Sequence, residues 1–556
     1  MREALVRGLP STHGDDYPLN TTTLIRHAAR TSPEQEIAFR TADGGWDRYT
    51  YGDAYDRVVR SANVLREVGV RPGDVVGVLD WNSRRFFELY WSIPGLAAVM
   101  LQMNLRLGVE DLSYVAGHSH ATWILVDESL LSVAETLAAE HPEVRWIVMS
   151  DRPLAQIETT LPEPLHYEDL IATAPSTIDW PMIEESSAYS ACYTTGTTGR
   201  PKGVYYSHRG MYLHTLAMVA ELGMDAYDSV MLITPMFHGS SWGLPLAAIQ
   251  AKAKVVLPGR YTADDLAPLV DALIAEGVTV ANGAPAIFGP MLDYIRTLET
   301  KPDLSRARFL SGATEPPLSL MRGYAELTGA DIIHAYGATE TTPLVTVNRG
   351  IKPSLADLPE EERWDRKRCQ GVMLTGVDFR LVDALGNDLP FDGVAQGELL
   401  LRGPWITSSY HSNDNPDGFL DGYWRSGDVA TIDKYGYVKV VDRIKDVIKS
   451  GGEWISSIDM ENALTSHPRV REAAVIGVAH PKWQERPLAL IVTTDGDEVP
   501  VEELYELLTP AFAKWQLPEK VLFFDSLDRT SVGKLDKKVM RSKFADTYAG
   551  TSDDAL

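Results

Sequence analysis

Residues Tyr193–Val204 read YTTGTTGRPKGV, and the reading of this stretch decides what kind of protein surrounds it. Threonine hydroxyls and glycines without side-chain bulk leave backbone N–H groups open, the composition of a loop that wraps phosphate oxygens. The spacing departs from a Walker loop. After Gly196 and the residues up to Arg200 stands Pro201 where a second glycine is required, and Lys202 is followed by Gly203 rather than Ser or Thr. A P-loop NTPase is therefore not the reading. Alone, the stretch could also be a surface turn with no ligand, so its context decides.

Working outward, short β-branched runs alternate with helical patterns from about Val75 to Ala335: VVGVL at Val75, TWILVD at Thr122, RWIVMS at Arg145, KVVLPG at Lys254, VTVANG at Val278 and DIIHAYG at Asp331. Such alternation predicts βαβ units and more than one helix-covered parallel sheet. Between Gly376 and Pro404 the texture changes to alternating strands separated by Gly and Asp turns, a smaller antiparallel β unit. Beyond DRIKD at Asp442–Asp446 a compact pattern of helix, strand, strand, helix and strand ends near Tyr548. The expected class is α/β, a large N-terminal domain of helix-covered sheets plus a small β unit, followed by a small α+β C-terminal domain. The expected boundaries are 1–442, a linker over 443–448, and 449–556.

A chain of 556 residues exceeds a single core. With 52 Lys and Arg against 77 Asp and Glu the net charge is -25, which argues against nonspecific binding to nucleic acid or anionic membranes. Any phosphate-bearing ligand must then meet a local positive patch. Two cysteines, Cys192 and Cys369, make neither a disulfide framework nor a paired metal site, and point to a reducing cytosol. The N-terminus shows no signal-peptide core, and the longest apolar stretch, WSIPGLAAVMLQM from Trp91, is broken by Pro94. It reads as a buried helix-to-strand passage, so no integral membrane segment is expected.

Further motifs follow. AYGATETTP at Ala335–Pro343 comes directly after a strand-like run, where α/β sheets place ligands, and Thr339 and Glu340 there offer a phosphate donor and a hard oxygen ligand for Mg²⁺. Read singly, Glu340 is a solvated loop carboxylate. The segment from Tyr423 contains Asp428, Arg443, Lys445, Lys449 and a glycine pair, and DRTSVGKLDKK near the C-terminus sets Lys534 in a glycine-preceded turn.

The order and content of these stretches resemble the adenylate-forming superfamily of acyl-CoA synthetases, luciferases and nonribosomal adenylation domains. PMFHGSSWGLP, IKSGGEWISS and AKWQLP are most similar to medium- or long-chain fatty acyl-CoA ligases. The resemblance covers essentially the whole chain. It implies an ATP-, Mg²⁺- and coenzyme A-dependent enzyme that makes an acyl adenylate and then a thioester, with a C-terminal domain that turns about Lys445 between the two steps.

In that family the Thr- and Gly-rich loop grips the β- and γ-phosphates, which implies nucleotide binding by Thr194, Thr195, Gly196, Thr197, Thr198, Gly199 and Lys202. Lys534 would bridge the carboxylate and the α-phosphate, Thr339 would contact that phosphate, and Glu340 would hold the metal. Asp428 would accept from the ribose hydroxyls beside Arg443, while Gly312, Ala313 and Thr314 line the adenine side with Tyr336, Gly337 and Ala338. His238 and Trp242 would stand at the acyl group, although either could be ordinary core, and Gly312 would border it. Lys449, Gly451 and Gly452 would face the pantetheine arm. Trp454 either borders the adenine or packs.

One departure stands out. Asp528 occupies the place of the usual proline before Arg529 and Thr530, which loosens the entry to the Lys534 turn. Rival readings are a ligase for short, methylthio or aryl acids, an enzyme loading a carrier protein, or an idle acyl-adenylate binder. The N-terminal arm, MREALVRGLPSTHGDDYPLNTTTLIRHAARTSP, resembles one that embraces a partner, which implies a homodimer.

Overall fold

In the computed structural model, residues 6–549 are described apart from 15, 195–199, 263–264, 414, 451–452 and 530–534. Two large, mostly parallel sheets form the body. One has seven strands in the spatial order Leu165–His166, Arg145–Met149, Ala121–Asp127, Val75–Leu79, Val99–Gln102, Ala188–Thr194 and Lys202–Ser207. The other has eight, running Leu344–Asn348, Asp331–Gly337, Arg308–Ser311, Val280–Gly283, Ser229–Met231, Lys254–Leu257, Glu36–Arg40 and Trp46–Thr50. Strands with both faces covered read as unbroken apolar runs, and VVGVL is buried at every position. Close approach requires glycine in its middle: a Cβ on Gly77 would stand 2.9 Å from Ile124 and from Met103.

The WSIPGLAAVMLQM passage is a helix, Arg84–Ser92, a 3₁₀ turn over Pro94–Leu96 and the strand Val99–Gln102, as its proline-broken pattern predicts. Among the described residues no helix is long and apolar enough to cross a membrane.

The small antiparallel sheet extends beyond the Gly376–Pro404 texture. It orders Gly371–Val372, Tyr437–Arg443, Tyr423–Ile432, Gly397–Arg402 and Asp378–Val382, with Phe419–Leu420 paired on Tyr423–Ile432. The strands Tyr423–Ile432 and Tyr437–Arg443 are thus part of this unit. The following segment contains the helix Ser457–Leu464, strands Val470–His480 and Gln484–Thr493, helix Val501–Leu508 and strand Lys520–Phe523, the order the sequence pattern indicates, closed by the helix Lys537–Lys543.

The two large sheets are joined by polar side chains in buried surroundings. Asn82, after the strand Val75–Leu79, donates from Nδ2 to Leu232 O at 2.5 Å and accepts from Met236 N at 2.8 Å in the other sheet's strand-end loop. Arg57, on the helix Tyr51–Glu67, bridges Glu88 at 2.6 Å and Glu168 at 3.0 Å, and Arg85 adds a bond to Glu168 at 2.7 Å. These guanidinium groups outweigh burial and hold the Glu168 carboxyl down to about 2. Glu88 is wholly buried, so Arg57→Ala strands a charge without its counterion and is expected to cost about 3–5 kcal/mol in urea unfolding. An unchanged unfolding midpoint would remove this pair from the structural argument.

Candidate active site

The strands Ala188–Thr194 and Lys202–Ser207 form an antiparallel pair with Thr194 opposite Lys202 and Tyr193 opposite Gly203. The Thr- and Gly-rich stretch therefore connects two strands at a sheet edge. Thr195–Gly199 lie outside the described residues. Lys202 places its ammonium 5.3 Å from the centre of the Tyr410 ring, which carries it toward the second motif.

That motif begins where Asp331–Gly337 ends. A Cβ on Gly337 would fall 1.8 Å from Pro343 O, so only glycine lets the chain fold back this tightly. Ala338 N donates to Pro343 O at 2.9 Å, and Thr339–Thr341 form a 3₁₀ turn whose Thr339 carbonyl accepts from Tyr206 OH at 2.8 Å. Glu340 is held from two sides. Tyr410 OH donates to its carboxylate at 2.6 Å and Thr407 N to its carbonyl at 2.8 Å, while Trp424 Nε1 donates to Tyr410 OH at 3.1 Å. Burial pushes the Glu340 carboxyl above its ordinary value, against the Tyr410 bond and the charges of Arg443 and Lys202. Tyr206 and Tyr410 are not evident in the sequence, since single tyrosines far along the chain carry no pattern.

Asp428 and Arg443 face each other across neighbouring strands, with Arg443 Nε 3.4 Å from Asp428 Oδ1. Tyr336 OH donates to Asp428 Oδ2 at 2.5 Å, and burial beside that carboxylate raises the phenol well above its ordinary value. Gly312–Ala313–Thr314 follow the neighbouring strand Arg308–Ser311. Ala313 has φ +69°, and a Cβ on Gly312 would meet Ala335 O at 2.6 Å and the Trp242 indole at 3.1 Å. His238 is half-buried and Trp242 is buried.

Lys445 is exposed, and partial desolvation together with Arg443, Lys202 and Lys538 lowers its ammonium pKa. A local cluster of cations thus exists in a chain of net charge -25. Lys449 lies in the strand Ile448–Ser450, its N–H donating to Glu485 at 2.8 Å. Gly451, Gly452 and Lys534 lie outside the described residues. Trp454 lines a cleft of about 370 Å³ with Gly393, Lys439, Asp459 and Phe512.

The structure brings Lys202, Tyr336–Glu340, Asp428, Arg443 and Lys445 into one neighbourhood at the strand ends. Among the described residues no group of three or more His, Cys, Asp or Glu could hold a metal by itself. A single half-buried carboxylate at Glu340 fits Mg²⁺ arriving with a nucleotide, which draws its remaining ligands from phosphates and water.

This architecture is that of the adenylate-forming enzymes. The sequence profile of the AMP-binding enzyme matches residues 25–411, and that of the AMP-binding enzyme C-terminal domain matches 459–534. A long-chain-fatty-acid–CoA ligase of Thermus thermophilus is 39% identical over 98% of this chain and 99% of its own. A 3-methylmercaptopropionyl-CoA ligase of Ruegeria lacuscaerulensis is 38% identical over 96% and 98%. The crystal structure of ATP-bound MatB from Rhodopseudomonas palustris superposes with a TM-score of 0.79 at 25% identity, covering 95% of this chain and all of that one. The chain belongs to the AMP-binding enzyme family. It is an AMP-forming acid–CoA ligase, working with ATP, Mg²⁺ and coenzyme A.

One contact joins the loop after the strand Arg308–Ser311 to the helix Ser457–Leu464. Glu315, directly after Thr314, accepts from Asn462 Nδ2 at 3.0 Å and pairs with Arg368 at 3.1 Å, and Asp459 of the same helix bonds Lys439 at 3.1 Å. Burial pushes the Glu315 carboxyl up to about 7, against the charge of Arg368. A carboxyl raised in the folded state contributes stability that is complete below its ordinary value near 4.5 and lost as pH rises through about 7. Proteolysis of the 443–448 segment is therefore expected to accelerate between about pH 4.5 and 7 and to level off above that, and Glu315→Gln to flatten the rise. Equal wild-type cleavage rates across this range would contradict it.

Proposed function

We propose that the acid is an apolar carboxylic acid of medium or long chain. This reading is supported by the uncharged wall that Trp242 and Gly312 make beside the adenine-side loop, and by the similarity to the long-chain ligase. A methylthio acid is the second reading, favoured by the comparable identity to the methylmercaptopropionyl ligase. The proposed organisation is an adenylation domain over 1–442, a hinge over 443–448 and a mobile C-terminal domain over 449–556. The protein is further proposed to act in the cytosol, as a homodimer through its N-terminal arm.

A carboxylate is a poor electrophile, so it must first acquire a leaving group. Its oxygen attacks the α-phosphorus, the bond to the β-phosphate oxygen breaks, and pyrophosphate departs. Thr194 and Lys202, with the Thr195–Gly199 loop, hold the β- and γ-phosphates, and Thr339 donates to the α-phosphate. When bound, Mg²⁺ neutralises charge on the phosphate oxygens, and Glu340 would hold it. The Tyr410 hydrogen bond fixes the Glu340 carboxylate in place before the nucleotide arrives.

Asp428 receives one hydrogen bond from Tyr336 and faces Arg443, leaving lone pairs for the ribose hydroxyls. Gly312–Thr314 and Tyr336–Ala338 form the adenine side. His238 stands at the acid's carboxylate, and Lys534 places its cation between that carboxylate and the α-phosphate, where negative charge builds in the transition state.

In the second step the CoA sulfur attacks the acyl carbonyl, the carbonyl–phosphate bond breaks with its electrons leaving on AMP, and the thiol proton goes to solvent. A domain turn about Lys445 withdraws Lys534 and presents Lys449, Gly451 and Gly452 to the pantetheine arm. The observation that carries the reading is the convergence of Asp428, Arg443, Tyr336 and Glu340 beside the cation cluster.

Lys534→Ala is expected to slow acyl-adenylate formation by about 10²–10³-fold while leaving thioester formation from supplied acyl adenylate within about tenfold of wild type. Lys449→Ala should show the reverse bias. Equal losses in both half reactions would overturn the assigned roles, and acyl products from a mixed panel of acids, read by mass spectrometry, identify the substrate.

A further inference from the structure

The segment from Thr234 to Gly243 leaves the strand Ser229–Met231 and runs between the two large sheets to the helix Leu244–Ala251. Its last part has an unusual backbone. Gly239, Ser240, Ser241, Trp242 and Gly243 have φ of 51°, 51°, 47°, 57° and 78°, a left-handed turn in which three consecutive residues carry side chains. L-residues visit this region singly and seldom, so the surroundings must hold the turn in place.

Two buried amides do so, one from each sheet. Gln102, at the end of Val99–Gln102, accepts from Ser240 N at 3.1 Å and donates to Ser240 Oγ at 2.8 Å, while its oxygen also accepts from Cys192 Sγ at 2.9 Å. Asn282, in Val280–Gly283, donates to Ser241 O at 2.8 Å and accepts from Thr234 N at 3.1 Å. Ser241 Oγ closes the loop on Thr234 O at 2.7 Å. At Gly243 only glycine fits, and at Gly239 the space is tight. A Cβ on Gly243 would lie 2.8 Å from the His214 ring, and one on Gly239 would lie 3.3 Å from Pro343, next to the Thr339–Glu340 loop.

We propose that Gln102 and Asn282 are positioning residues that set acyl selectivity. By fixing the backbone of Ser240–Trp242 from both sheets, they fix the point from which the indole projects over Gly312, leaving only the side-chain torsions of Trp242 free to adapt. Neither amide touches substrate. The inference rests on the reading of Trp242 as a wall of the acyl site, and the two can fail separately.

The test compares wild type with Gln102→Met, Asn282→Ala, Ser240→Gly and Trp242→Ala across acids of graded chain length, with KM for ATP measured alongside. Ser240→Gly removes the hydroxyl that Gln102 holds and loosens the turn at a φ that glycine adopts freely, so it carries the test if a core amide variant does not fold. The expected result is a changed ranking of acids in Trp242→Ala and a shift in the same direction in the amide and Ser240 variants. In the latter, KM for the preferred acid rises about tenfold while KM for ATP stays within about twofold. If Trp242→Ala changes the ranking and the others do not, the positioning role is overturned and the Trp242 reading stands. An unchanged ranking in Trp242→Ala overturns both. A uniform loss for every acid, with KM for ATP raised in parallel, assigns the amides to folding alone and overturns the proposal.

Discussion

The constraint on which the structure depends is that an irregular chain segment runs through the buried seam between two sheets. Backbone N–H and C=O groups there have neither ladder partners nor water, and each left unpaired costs about 1–3 kcal/mol. The protein meets this with side-chain amides and hydroxyls from both walls. Asn82 serves Leu232, Thr234 and Met236, Tyr261 serves Ile233, Tyr90 serves Met236, and Gln102 and Asn282 serve Ser240, Ser241 and Thr234. Left-handed φ at Ser240, Ser241 and Trp242 costs about 1–2 kcal/mol per residue, the order that net contributions of about 0.5–1.5 kcal/mol from each of those hydrogen bonds offset. The seam is therefore rigid through polar satisfaction, and the carboxyl ends of both sheets are held against one another where the candidate site lies.

That rigidity explains the placement of the chemistry. In open parallel sheets ligands sit beyond the strands' carboxyl ends, and here Gly312 and Tyr336 end adjacent strands of one sheet while Thr194 ends a strand of the other. The small antiparallel sheet brings Asp428 and Arg443 in from a third direction, with Asp428 tied to the body through Tyr336. No single element carries the constellation, so its geometry is only as good as the joints between elements, and these are the Gly337–Pro343 reversal, the Asp428–Tyr336 bond and the seam.

The alternation of strand and helix, the proline-broken passage at Trp91 and the strand-end position of the motif at Ala335 were legible because each depends on residues close together in the chain. What was not legible depends on register and on distant partners. The resemblance alone sets Asp428 beside Arg443; physically the two become partners only once a ten-residue strand pairs antiparallel with its successor through an irregular register. Tyr410 reaches Glu340 across 70 residues, and Gln102 reaches Ser240 across 138. The glycines flanking SSW mark a turn, yet propensity speaks against left-handed backbone at Ser-Ser-Trp, and only the packed amides reverse that preference.

The same physics bears on how the small C-terminal unit is held. Its helix Ser457–Leu464 begins on the strand Tyr437–Arg443: Ser456 Oγ donates to Val441 O at 2.6 Å, and Asp442 accepts from Ser457 N at 2.8 Å, placing a carboxylate at the positive end of the helix. Lys537, at the start of the helix Lys537–Lys543, is buried against Glu461 at 2.6 Å and Ser457 Oγ at 2.6 Å, while Arg541 pairs with Asp446 at 2.8 Å. The helices at the two ends of the unit are thus charge-linked to each other and to the residues around Lys445. Polar contacts suit a surface that parts in the proposed domain turn, since water can take their place once they are exposed, whereas an apolar interface of the same area would have to expose its surface on opening. The seam rests on buried amides and hydroxyls from both walls, whereas the contacts around Lys445 combine buried groups at Asp442, Ser456 and Ser457 with the partly exposed Arg541–Asp446 pair, which exchanges with water at the least cost.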